Sequence, residues 1–140
     1  MKILLPVDGS RYTKQMLGYV AAHEELFGPQ HEYIFATVVT QVPPHVTHFV
    51  GPTALQGYYK DEADKVLTPV LAFAAQHGWN ARPLQLEAPV AEALAQLAKS
   101  EKVDLIAMGS HGHSALGNVL LGSVASGVLA RCDVPVLLIR

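Results

Sequence analysis

The chain has 140 residues, of which 50% are apolar and 16% are charged, and its formal net charge is −2. This length suits one domain, residues 1–140, that buries its own core without disulfides or metal ions. The small net charge gives no electrostatic basis for binding nucleic acid or a membrane surface, so we expect neither as a partner.

The cysteine content and the N-terminal residues predict a cytoplasmic protein. Cys132 is the single cysteine, which offers no internal disulfide and fits a reducing compartment. The opening apolar run, residues 3–7, is too short for the core of a signal peptide. No apolar run approaches the roughly 18 residues that a membrane-spanning helix needs.

Apolar runs and helical spacings alternate along the chain. Residues 3–7 predict a first strand, and the turn and cap residues Asp8-Gly9-Ser10 lead into a helix that extends to about Phe27. Further strands are predicted at 33–39, 81–88, 103–109 and 134–140, and further helices at 58–77, 90–102 and 123–132. Strands separated by helices join as right-handed parallel crossovers, so the order predicts a doubly wound α/β sheet.

Residues 41–57 form the longest stretch without a sustained period, and they contain three prolines. We expect an irregular loop that acts as a lid or a partner surface. Tyr58 and Tyr59 follow it, and we interpret them as helix surface or core residues rather than as groups that stack on a base. Pro69 predicts a bend in the helix 58–77.

A glycine-rich segment follows the predicted fourth strand, where a doubly wound sheet binds ligands. The segment, GSHGHSALGNVLLGS, contains Gly109, Gly112, Gly117 and Gly122. Glycines adopt backbone angles closed to other residues and leave room for a ligand, and the Gly122-Ser123 pair opens a helix whose N–H groups favour an anion. This pattern predicts a phosphate site. The alternative is that the glycines only form turns.

The spacing Gly109-x2-Gly112-x9-Gly122-Ser123, between a strand and a helix, resembles the ATP-binding signature of the universal stress protein family. The resemblance covers the whole chain. It includes the opening ILLPVDGS, the pair Val38-Val39, the stretch VDLIAMGSHG and the C-terminal LLGSVASGVLARCDVPVLLIR.

The resemblance implies a five-stranded sheet in the order 3-2-1-4-5 with helices on both faces, and ATP, alone or with magnesium, at the tips of strands 1 and 4. It implies a homodimer that pairs the last strands, Val134 to Arg140. By the same resemblance Asp8 contacts the adenosine and Val38 the adenine. The expected site residues are Pro6, Val7, Asp8, Val38, Met108, Gly109, Gly112, His113, Gly122, Ser123 and Val124.

Two departures from the family pattern affect this expectation. Ala88-Pro89 stands where the family has a glycine before the third helix, and no Lys or Arg occurs between Val103 and Ala130. Backbone N–H groups, a divalent cation, or protonated His111 and His113 would have to balance the phosphate charge. If the histidines face the phosphates, triphosphate affinity should rise as the pH falls. The alternative is that both histidines are solvated.

The sequence favours a binding protein over an enzyme. It lacks the G-x-S-x-G nucleophile elbow and the lysine of a P-loop, and slow hydrolysis of bound ATP stays open. The His45-x2-His48 and His111-x-His113 pairs bring no third ligand, so we expect no metal site. We therefore predict a nucleotide-binding regulatory or stress-response module. The alternatives are a nucleotide-free dimeric interaction module of the same fold and a phosphoacceptor switch that uses Asp8.

Overall fold

The computed structural model describes residues 1–113 and 118–140. In these residues no helix is both long and apolar enough to cross a membrane. The elements in chain order are β1 (Lys2–Pro6), α1 (Arg11–Ala22), α2 (Glu24–Phe27), β2 (Glu32–Val39), α3 (Pro44–Thr47), α4 (Pro52–Gln76), β3 (Asn80–Glu87), α5 (Val90–Ser100), β4 (Leu105–Gly109), α6 (Ser123–Arg131) and β5 (Val136–Ile139).

The described strands form one parallel sheet in the order β3-β2-β1-β4-β5. β1 pairs with β2 from Lys2 opposite Glu32 to Pro6 opposite Ala36, and on its other side it pairs with β4. The structure thus confirms the doubly wound sheet and the strand order that the resemblance implied. Because the strand order reverses beside β1, the crevice for a ligand lies between the carboxyl ends of β1 and β4.

Helices cover the sheet on both faces, as predicted. Ile3 and Leu5 of β1 pack into a cluster with residues of α1 and α4. Leu4, between them, packs into a second cluster with residues of α5 and α6. Side chains alternate between the two faces of a strand, so the apolar run Ile3, Leu4 and Leu5 of β1 is buried from both sides. Cys132 packs against the second cluster.

The first helix is shorter than predicted. α1 ends at Ala22, and the separate short helix α2 carries the remaining residues to Phe27. His23 interrupts them, because its backbone leaves the helical region (φ −118°, ψ 58°). The His23 ring N–H donates to the carbonyl oxygen of Tyr19 at 2.7 Å. The apolar residues keep their helical spacing from α1 into α2, so the sequence showed no sign of the break between them.

The prediction of an irregular loop over 41–57 was wrong for most of its length. α3 occupies part of it, and α4 begins at Pro52, six residues before the predicted start. Both helices have a proline in the first turn, where its missing N–H has no helical partner and its fixed φ suits the helix. Of the prolines that suggested a loop, Pro44 and Pro52 begin helices and Pro43 is the N-cap of α3. α4 continues through Pro69 to Gln76.

The amino end of the sheet is closed by aromatic rings and ion pairs. Buried Tyr33 stacks on Trp79 with ring centroids 4.9 Å apart, and Phe73 meets the Trp79 ring edge-on. Nearby, two cations alternate with two carboxylates at distances of 2.5 to 4.0 Å. The four residues of this ion-pair network are Lys2, Glu32, Arg82 and Glu101.

Candidate functional site

A cavity of about 830 Å³ opens at the carboxyl end of the sheet. The ends of β1, β2 and β4 form its floor, and α4, α5 and α6 contribute its walls. The structure brings every predicted site residue to this one cavity, and their contact with a nucleotide stays a prediction. They are Pro6, Val7, Asp8, Val38, Met108, Gly109, Gly112, His113, Gly122, Ser123 and Val124.

The carboxylate of Asp8 ties the turn after β1 to the glycine segment after β4. Its Oδ1 accepts hydrogen bonds from the Ser10 N–H and the Thr13 hydroxyl, each at 2.9 Å. Its Oδ2 accepts from the His113 N–H at 3.2 Å. Gly9 completes the turn in the left-handed region at φ +76°, which glycine adopts without a Cβ penalty. Asp8 therefore positions two loops at the mouth of the cavity.

These contacts set the protonation of Asp8. Partial burial raises the pKa of its carboxyl group, but the hydrogen bonds from Ser10 and Thr13 and the nearby His113 outweigh that effect. The pKa of Asp8 consequently lies below its ordinary value of 3.8. Asp8 is a carboxylate at neutral pH, and three protein donors already occupy three of the roughly four lone-pair sites of its oxygens.

The two histidines of the glycine segment contact protein atoms. His113 Nε2–H donates to the Asp8 carbonyl oxygen at 2.6 Å. His111 Nε2–H donates to the Val119 carbonyl at 2.6 Å, and the Ser110 hydroxyl lies 2.8 Å from His111 Nδ1. A carbonyl oxygen only accepts, so each Nε2 must carry a hydrogen. These rings brace the segment, and both Nε2–H groups are engaged by backbone carbonyl oxygens.

The signature glycines make room for protein atoms. A Cβ at Gly112 would lie 2.7 Å from Asp8 Oδ2, and one at Gly109 would lie 2.8 Å from Tyr12 Cβ. One at Gly122 would lie 3.0 Å from both the Cα of His111 and the Ser110 carbonyl oxygen. Positive φ angles among the described glycines occur at Gly9 and Gly78. The expectation of unusual backbone angles at Gly109 and Gly112 was therefore wrong. Gly117 lies outside the described residues.

The first turn of α6 faces the cavity through Ser123, Val124 and Ala125. Gly122 is the N-cap, and no side chain in the described part of the chain caps this helix. The first N–H groups of a helix have no partner within it, and the helix dipole makes its N-terminus favourable for an anion. This end of the cavity can therefore bind a phosphate group.

Sequence reasoning missed the wall that α4 contributes. Thr13 of α1 also lines the cavity, together with Tyr58, Glu62 and Lys65 of α4. Tyr58 is half exposed, which agrees with the predicted surface position, and it also lines the cavity. The spacing of Tyr58, Glu62 and Lys65 did indicate that they share one face of a helix, because residues three or four positions apart lie on the same side. The sequence did not reveal which helix covers the crevice.

Lys65 is the one lysine or arginine among the described residues that line the cavity. Its Nζ lies 2.6 Å from Glu62 Oε1, one turn earlier on α4. The hydrogen bond to Glu62 raises the pKa of Lys65, so its amine is charged at neutral pH. The ammonium group at this cavity thus comes from a part of the sequence distant from the glycine segment.

The sequence model of the universal stress protein family matches residues 1–140. The chain belongs to the universal stress protein family. A Thermus aquaticus relative, the universal stress protein encoded 3′ to a QAH/OAS sulfhydrylase, is 32% identical, and the match covers 99% of this chain and 97% of the relative. The solved structure of Methanocaldococcus jannaschii protein MJ0577 is 28% identical and superposes with a TM-score of 0.79 over 99% of this chain and 94% of that one.

Two more distant structures with this fold contain nucleotides. The Archaeoglobus fulgidus universal stress protein was solved in complex with dAMP; it is 20% identical, with a TM-score of 0.67 over 100% of this chain and 98% of that one. An Arabidopsis thaliana family member was solved with AMP bound; it is 12% identical, with a TM-score of 0.72 over 99% and 90% of the two chains. At these identities the likeness to this universal stress protein is one of fold.

Proposed function

We propose that this universal stress protein binds an adenine nucleotide in the cavity at the carboxyl end of its sheet, and acts as a dimeric regulatory or stress-response module in the cytoplasm. The main support for this proposal is that the predicted site residues all line one cavity of about 830 Å³. This volume is within the usual range for sites that bind small molecules.

The walls of the cavity suit the parts of an adenine nucleotide. Val38, Val90 and Leu94 offer an apolar surface for a base. Asp8 lies at the switch point of the sheet, where a carboxylate suits the hydroxyl groups of a ribose. The α6 N-terminus suits a phosphate. The dAMP and AMP complexes of the two distant family members support the same ligand class.

We propose a binding role and no efficient catalysis. Asp8 is the carboxylate that contacts the glycine segment, and its oxygens accept hydrogen bonds from Ser10, Thr13 and His113. A carboxylate engaged in this way is a poor general base for activating water. The same contacts disfavour the use of Asp8 as a phosphoacceptor. Occupancy itself would carry the signal, since a ligand that prefers one conformation shifts the population toward it.

The dimer is proposed from the edges of the sheet. β5 is an edge strand with the apolar sequence Val136–Ile139, shorter than the predicted 134–140. β3, at the other edge, carries a proline and the charged residues Arg82 and Glu87. Charged residues and prolines discourage strand pairing, and an apolar edge invites it. We therefore expect β5 to pair with its symmetry mate.

The decisive experiment identifies and titrates the ligand. Freshly purified protein is denatured, any released nucleotide is identified by chromatography and mass spectrometry, and the emptied protein is titrated with Mg-ATP and AMP at pH 6 and pH 8. The Gly122→Val variant places a side chain against Ser110 and His111, and we expect an affinity loss of about 100-fold because the phosphate segment is displaced. The matched control is Gly18→Val, because an added Cβ at exposed Gly18 contacts nothing.

Protein that releases no nucleotide and ignores Mg-ATP and AMP at both pH values contradicts the proposal. The nucleotide-free interaction module then replaces it, with the glycine segment as a turn. In that case Gly122→Val should alter dimerisation or partner binding, measured by analytical ultracentrifugation, although neither form of the protein contains nucleotide.

A further inference from the structure

The charge of the cavity opposes a highly charged ligand. Asp8 and Glu62 contribute two carboxylates, and Lys65 contributes the one ammonium among the described lining residues. With neutral histidines the lining thus carries an excess of one negative charge. A triphosphate brings several negative charges into this environment, whereas a monophosphate brings at most two. Like charges in a cleft with apolar walls repel more strongly than they do in water.

Lys65 lies beside the turn that carries Asp8. Its neighbour Val66 places Cγ2 3.5 Å from the position of a Cβ on Gly9. This turn of α4 therefore packs against the crevice at the carboxyl end of β1. Lys65 has a long, flexible side chain that remains 70% exposed. Its ammonium group is therefore free to reorient toward a ligand above Asp8.

The ion pair between Lys65 and Glu62 is easily exchanged. It is an i,i+3 pair on the helix surface, and Glu62 is 35% exposed. Exposed ion pairs of this kind contribute little to stability, because water solvates both partners and the side chains lose entropy. A phosphate can therefore compete with Glu62 for the ammonium group. His111 and His113 are less available, because each donates its Nε2–H to a backbone carbonyl.

We propose that the Lys65–Glu62 pair sets how many phosphates the site accepts, so that the site binds nucleoside monophosphates in preference to metal-free triphosphates. Lys65 leaves Glu62 and pairs with the phosphate next to the ribose. Glu62 then repels the phosphates beyond it. A divalent cation bound to the triphosphate cancels much of that repulsion. This inference rests on the proposed function, since it names the ligand class of the same site.

The test compares adenosine, AMP and ATP by isothermal titration calorimetry at low salt, with EDTA and with magnesium. For Lys65→Gln we expect AMP affinity to fall about 10-fold, the usual effect of losing a charge-assisted hydrogen bond, and adenosine affinity to stay the same. For Glu62→Gln we expect affinity for ATP in EDTA to rise about 5-fold, because a repulsive charge is removed, and AMP affinity to change less. High salt should reduce both effects.

The same helix provides matched controls. Lys60 and Asp64 form a comparable pair at 2.7 Å, and neither residue lines the cavity. Lys60→Gln and Asp64→Asn should leave all three affinities unchanged, and thermal unfolding verifies that each variant is folded. If Lys65→Gln weakens AMP no more than Lys60→Gln does, or if wild-type protein prefers ATP in EDTA to AMP, the inference is wrong. If adenosine, AMP and ATP all fail to bind the wild type, the proposed function fails instead.

Discussion

The two ends of the parallel sheet are filled to different degrees. At the amino end, Tyr33 and Trp79 stack at 4.9 Å and are shielded from water, and the ion-pair network of Lys2, Glu32, Arg82 and Glu101 covers the surface nearby. At the carboxyl end the same strands open into a cavity of about 830 Å³. Large rings fill the amino end, whereas at the carboxyl end the strand ends and the first turn of α6 surround an open space.

The comparison separates stability from binding within one small fold. Packed aromatic rings bury apolar area and stabilise the folded state. An open crevice gives up that packing so that polar groups such as Asp8 and the α6 N-terminus remain available to a ligand. Substitutions at the amino end should therefore act mainly on stability, and substitutions at the carboxyl end should act on affinity with smaller effects on stability.

The largest expected effect on stability is at the closed end. Trp79→Ala should reduce the free energy of unfolding by about 3–5 kcal/mol, because it removes a 7% exposed side chain from the aromatic cluster. Urea denaturation followed by far-UV circular dichroism measures this, since Trp79 is the only tryptophan. Leu26→Ala, at a half-exposed position, should cost less than about 0.5 kcal/mol.

The comparison also predicts that Trp79→Ala leaves the AMP affinity of the folded protein within about twofold of wild type, because distant sites act independently. Titration below the unfolding temperature measures this. A loss of affinity as large as that of Gly122→Val would show that the two ends are coupled.

A smaller effect is expected from Asp8→Asn at the open end. The amide nitrogen that replaces one oxygen donates and does not accept, so one of the hydrogen bonds that Asp8 accepts is lost. We expect a loss of about 1 kcal/mol in the free energy of unfolding at neutral pH. Nucleotide affinity should fall as well, since the variant releases the loop contact at His113.

The pH dependence of the free energy of unfolding tests the role of the Asp8 carboxylate. Because the pKa of Asp8 is lower in the folded protein than its ordinary value of 3.8, its ionisation stabilises the fold above that value. The stabilisation is lost as the pH falls through the lower folded-state pKa. The difference between wild type and Asp8→Asn in urea denaturation should therefore shrink from pH 5 to pH 2.5. A constant difference over this range would contradict the assignment.

The smallest effect is expected at the ion-pair network of the amino end. Arg82→Gln removes contacts to Glu32 and Glu101, but these side chains are 30% to 39% exposed. We expect a loss below about 1 kcal/mol, and it should decrease at high salt because ions screen exposed charges. Thermal unfolding at low and high salt measures it. A larger loss that is insensitive to salt would mean that the network, and not the aromatic cluster, closes this end.

Local patterns predicted the elements and the place of the site. The alternating strands and helices predicted the parallel sheet, and the crevice beside β1 followed from topology. The resemblance to the family supplied the site residues, which meet at one cavity. The predicted element boundaries were wrong where one local pattern is compatible with two structures. Pro52 suggested a loop and starts a helix, and the apolar spacing after α1 continues across the break at His23.

The glycines illustrate a second limit. Their spacing predicted a loop that approaches a ligand, but a Cβ on Gly112 would meet Asp8, a residue more than a hundred positions earlier in the chain. The reason for a small residue is therefore a contact between distant segments. Such contacts are visible once the strands are placed side by side.

The sequence by itself determined the alternation of strands and helices, because burial on both faces of a strand leaves a short apolar run and burial on one face of a helix leaves a helical period. The tertiary structure decided which distant groups share the cavity. Lys65 brings a positive charge to a cavity whose glycine segment has no lysine or arginine, and Asp8 fixes the loop that carries His113. No local pattern encodes these pairings, since they depend on which helix packs across which strand.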